Sequence, residues 1–153
     1  MQQPSPQQPA FFASTLGYLG LLPFVIPTLL LVYDGPHTAL WLHFLMTYAA
    51  VILSFVGALH WAFAMTLADL TLNQKRWGFA WSIIPALVAW VALFIASFNG
   101  MLVMAAFFAG NFMQDAYLAK SVGMPSWYMR LRFHLSFVAA SCLIIAAALT
   151  LSI

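Results

Sequence analysis

LSFVGALHWAFAM, residues 53–65, lies in the middle of a long apolar run and decides how the rest of the chain is read. The stretch is apolar enough for lipid, yet it carries Gly57 and the pair His60-Trp61 well inside it. An imidazole is costly in hydrocarbon, so His60 is expected to face a protein interior, a cavity or a ligand.

The composition around that stretch agrees with a membrane setting. Of 153 residues, 65% are apolar and 5% charged, against about a quarter charged in soluble domains. So few charges cannot cover a folded surface in water. Five Lys/Arg against three Asp/Glu form no basic run, and nucleic acid is not an expected partner. A single cysteine, Cys142, excludes a disulfide within the chain.

Apolar runs near 20 residues read as spans, because about 20 residues at the helical rise cross a bilayer core. Five are expected, at about 11–33, 38–70, 77–98, 100–119 and 127–151, after a polar Pro/Gln-rich tail at 1–10. The first should kink at Pro23 and Pro27, and the third contains Pro85. Residues 34–36 (DGP) read as a tight turn, 73–76 as a polar connection and 120–126 as a loop. Lys75, Arg76, Lys120, Arg130 and Arg132 then all fall on one side, which the positive-inside rule makes cytoplasmic. The expected fold is an all-α integral membrane protein, a single five-helix transmembrane bundle with its N-terminus cytoplasmic and its C-terminus outside.

A polar layer is expected near the inner face. Centring the hairpin of the last two helices on its loop sets Asp115 opposite Arg130 and Asn111 opposite His134. Residues four apart share a helix face, so the two pairs form one ladder. His60 lies about 15 Å from the inner end of its helix by the helical rise, in the same layer. The candidate polar network or ligand site is therefore His60, Trp61, Asn111, Asp115, Arg130, Arg132 and His134, with Gln114 beside it. Each member has a plainer reading. An Asp–Arg bridge fixes helix register, Arg130 and Arg132 snorkel to head groups, and His60 or His134 makes an interhelical hydrogen bond. His60 and His134 on different helices are the pair to consider for haem, and Trp77, Trp81 and the prolines could frame a pocket for a flat apolar ligand such as a quinone, a sterol or a porphyrin. No clustered ligand spacing suggests a metal, and no nucleophile, P-loop or dinucleotide motif suggests catalysis.

Five segments in order resemble one family: LGYLGLLPFVIP (16–27), YAAVILSFVGALHWAFAM (48–65), IIPALVAWVAL (83–93), FFAGNFMQDAYL (107–118) and PSWYMRLR (125–132). They are similar to the uncharacterised bacterial and mitochondrial membrane family that includes transmembrane protein 69. That resemblance implies a multi-pass protein of the bacterial inner membrane, or of the mitochondrial inner membrane in a eukaryote. It carries no catalytic residues.

The leading functional expectation is a non-enzymatic protein that binds a partner, as an accessory or assembly factor of a membrane complex such as a respiratory one. The next is a small-ligand bundle for quinone, haem or lipid with an inner-leaflet pocket around His60-Trp61. The third is a proton-linked transporter formed as a homo-oligomer.

Overall fold

The computed structural model describes residues 7–151, and among these every regular element is helical. Residues 1–6 of the expected polar tail lie outside the described residues, and Gln7 onward is already helix.

The first rod is broken rather than gently kinked. α1 (Gln7–Leu19) and α2 (Leu22–Tyr33) meet at Gly20-Leu21. Pro23 falls in the first turn of α2, where its missing N–H costs nothing. Phe24 N–H bonds to Leu21 O rather than to the Gly20 carbonyl one turn back. The freed carbonyl of Gly20 is taken by the Tyr48 hydroxyl at 2.9 Å. A buried backbone acceptor is costly if left unpaired, so this bond fixes the break against the next helix. Pro27 sits inside α2 without ending it.

Residues Gly35–His37 form a 3-10 turn, and α3 runs Thr38–Thr66, about 44 Å by the helical rise. The turn is tied by Asp34, whose carboxylate accepts from His37 Nδ1 at 2.8 Å and from Trp41 Nε1 at 3.0 Å. Those bonds hold the Asp34 carboxyl below its ordinary value of 3.8, His37 contributing most and Trp41 next.

α3 stops four residues before the expected position 70, and α4 (Leu72–Ala92) starts five residues before 77. The stretch read as a polar connection is thus the first turn of α4. Thr71 caps it, accepting from Gln74 N–H at 3.3 Å while Gln74 Oε1 accepts from Thr71 N–H at 2.9 Å. This reciprocal capping box satisfies two donors that a helix start leaves open. α5 covers Ser97–Val122 and α6 Ser126–Thr150. α5 continues one turn past the expected end and is closed by Gly123 in the left-handed region, φ 67°.

Close approach at glycines sets the packing. Gly57 of α3 lies against Pro85 of α4, where a Cβ would stand 2.9 Å from Pro85 Cγ. Gly78 of α4 meets the His60 carbonyl and Ala64. Gly100 of α5 abuts the Ala92 carbonyl and Met46. α2, α3, α5 and α6 surround the core of Phe24, Leu45, Leu53, Met101, Met104, Phe108 and Leu143, while α4 contributes only Ala89 and Ala92. The outside is the apolar side of the molecule: Phe11, Leu16, Val51, Phe55, Trp90, Phe94, Phe137 and Ile144 are all exposed.

Candidate functional site

The interior charge cluster is built by three helices. Asp115 of α5 is fully buried. Arg132 of α6 is 5% exposed and donates from Nε to Asp115 Oδ2 at 2.6 Å. His60 of α3, 3% exposed, places Nε2 3.4 Å from Asp115 Oδ1. That imidazole also lies near the Val56 and Gly57 carbonyls of its own helix, without an aligned hydrogen bond to either or to the carboxylate. Isolated burial of either charge would cost several kcal/mol, so Asp115 and Arg132 are tolerated only as a neutral pair.

Arg132, not Arg130, is the partner of Asp115. Arg130 is exposed. The two arginines stand only two positions apart along α6, and rotation about its axis separates them. Arg132 shares its face with the buried residues Ser136, Ala139, Leu143 and Ala146, whereas Arg130 shares its face with the exposed Phe137 and Ile144.

The other candidates disperse. His134 is exposed and pairs with the Tyr18 hydroxyl at 2.9 Å, joining α6 to α1 instead of facing Asn111. Asn111 is fully buried; its Oδ1 accepts from Trp81 Nε1 at 3.3 Å and its amide donates to Phe107 O at 2.9 Å. It ties α4 to α5. Trp61 is half exposed, with its ring edge-on to Phe79 and its indole N–H directed at Met65 Sδ, 3.1 Å away. His60 thus faces Asp115 and His134 faces Tyr18. Among the described residues no three His, Cys, Asp or Glu side chains gather as a metal-binding group.

Two cavities flank the cluster. On the His60 side, a small one of about 30 Å³ is lined by His60, Gln74, Gly78 and Gln114 among others, room for about one water. On the Arg132 side lies a cavity of about 450 Å³ between α1, α2, α3 and α6. Its walls include Gly17, Phe24, Val56, Phe108, Leu131 and Ala139, and its polar residues are Tyr128, Arg132 and Ser136 of α6. Leu16 and Phe55, both exposed, border it, so it opens sideways between α1 and α3.

Those three polar residues carry buried atoms without a hydrogen-bond partner: the Tyr128 hydroxyl, Arg132 Nη2 and Ser136 Oγ. Ser136 is the telling one. Thr28, Thr47, Ser54 and Thr66 each donate to the carbonyl one turn back, the usual resort of a helical hydroxyl, and Ser136 does not. Tyr128, which reads from sequence as an interface aromatic, and Ser136 are not among the expected site residues, although the spacing 128, 132, 136 places them on one face with Arg132.

Fold and site together define a helical protein with three helical stretches long and apolar enough to cross a membrane, Ala10–Tyr33, Gly35–Thr66 and Ser126–Thr150, around a buried ion pair. The chain matches the family described as Protein of unknown function (DUF3429) over residues 10–148 and belongs to that family. No curated protein and no solved structure matches it.

Proposed function

We propose that the protein is a five-span integral membrane protein that binds a small amphiphile in the cavity beside Arg132. The cavity carries this reading: about 450 Å³ is in the range of small-molecule sites, and apolar walls with a few convergent polar groups are their usual chemistry.

The membrane setting has its own support. α4 and α5, at 21 and 26 residues, are long enough to accompany the three more apolar rods. Lys75, Arg76 and Lys120 sit in their end turns, and the Gln74 amide donates to Ser121 Oγ at 3.2 Å, which brings those two ends together. With Arg130 at the start of α6, four exposed or half-exposed cations share one end, which favours a cytoplasmic or matrix N-terminus. The resemblance to the family that includes transmembrane protein 69 adds the inner membrane as the location.

The connections 67–71, 93–96 and 123–125 are too short for a soluble catalytic apparatus, which favours a non-enzymatic protein. An accessory role in a membrane complex shares that support and stands second, because the cavity speaks for a ligand. The test is native mass spectrometry of the protein released from mild detergent. Wild type should retain one amphiphile, and Ala13→Phe, which plugs the cavity from an exposed wall position, should lose it. Identical spectra for the two would refute ligand binding there.

A further inference from the structure

We infer that the occupant of the large cavity is a neutral amphiphile whose head presents a carbonyl oxygen to Arg132, Tyr128 and Ser136, the chemistry shared by a quinone and an acyl ester. This rests on the cavity reading above and goes on to the class of ligand.

The donors set the head. Arg132 spends Nε on Asp115, and its Nη2 is buried without a partner. A guanidinium nitrogen donates and never accepts. The Ser136 hydroxyl, one turn further along α6, is likewise unpaired, and the Tyr128 hydroxyl neighbours the guanidinium without an aligned bond. Three groups able to donate stand on one face of α6, in residues that wall one cavity; each polar atom is itself covered, so a modest side-chain rotation is what turns them to an acceptor with more than one lone pair. A carbonyl oxygen provides this.

Charge balance selects a neutral head over a carboxylate. The Arg132 charge is already compensated by Asp115 at 2.6 Å. An anionic head would leave one negative charge unbalanced among apolar walls, with His60, on the other side of Asp115, as the nearest group to offset it by taking a proton. The rest of the lining is apolar, and the opening past Leu16 and Phe55 lets a tail leave sideways.

The experiment is saturation binding of tritiated decylubiquinone to the purified full chain in detergent, with competition by monoolein, palmitate or dodecane. Saturable quinone binding, or saturable displacement by monoolein, is expected, and the order of the two identifies quinone or acyl ester as the source. Palmitate should compete at least about tenfold less well than the better neutral ligand, and dodecane less well again. The double variant Tyr128→Phe/Ser136→Ala, which removes two donors and no charge, should bind about tenfold more weakly while keeping the wild-type melting temperature. Arg130→Ala should bind as wild type. Palmitate competing as well as the neutral ligands, or a double variant with unchanged affinity, overturns the inference while leaving the cavity reading intact. Failure of every amphiphile to bind overturns both.

Discussion

Arg132 Nε donates to Asp115 Oδ2 at 2.6 Å, joining α6 to α5 where both side chains are closed off from the outside. Each charge is tolerable there only because of the other. Asp115→Asn or Arg132→Met alone should therefore lose about 3–5 kcal/mol of stability. The double variant should lose less than the sum, by a coupling of about 1–3 kcal/mol in denaturant unfolding. Additive losses would show that the two side chains do not act as a pair. Arg130→Ala, at an exposed position, should change stability by less than about 0.5 kcal/mol.

Helix approach at glycine predicts a second pattern. Gly57→Ala would press a methyl onto Pro85, and Gly100→Ala onto the Ala92 backbone. Each should cost about 1–3 kcal/mol. Gly35→Ala, with nothing within 4 Å of the added carbon, should leave the melting temperature where it is. Equal tolerance at all three positions would mean that the α3–α4 and α4–α5 contacts are looser than described.

The break between α1 and α2 depends on Tyr48. Tyr48→Phe removes the donor to the half-buried Gly20 carbonyl and should cost about 0.5–1.5 kcal/mol, the net worth of one hydrogen bond. Thermal unfolding reads this directly. A fully wild-type transition would indicate that the carbonyl finds another donor.

How far the sequence carried can be judged at particular residues. His60 in an apolar helix reads as facing a protein interior, a cavity or a ligand, and the structure sets it against Asp115. Helix length was harder at 71–76, because Lys75 and Arg76 resemble a loop while TLNQ spells a capping box. Pairing depth along the last hairpin could be counted, but which arginine turns inward depends on rotation. The small residues at 136, 139 and 146 hold that information in phase with Arg132. The large cavity was not legible at all, since it is created by four segments distant in sequence.

The turn before α3 should report pH. His37 and then Trp41 hydrogen-bond the Asp34 carboxylate and hold its pKa below 3.8 in the folded chain. A depressed carboxylate stabilises the turn above its unfolded pKa, and that contribution fades as pH falls through the lower folded value. The Trp41 indole N–H resonance should therefore titrate with a midpoint below 3.8, whereas Asp34→Asn should remove the titration. A midpoint above that value would contradict the assignment.

The occupant proposed for the large cavity is a carbonyl-headed amphiphile seated against Arg132. Photolabelling with a quinone analogue bearing a diazirine on its tail, followed by peptide mapping, tests it most directly. Saturable labelling is expected at cavity-lining positions such as Leu16, Phe24, Phe55 and Leu135, competed by excess decylubiquinone. Labelling that does not saturate and falls equally on Trp90 and Phe94, which are exposed and outside the cavity lining, would contradict it.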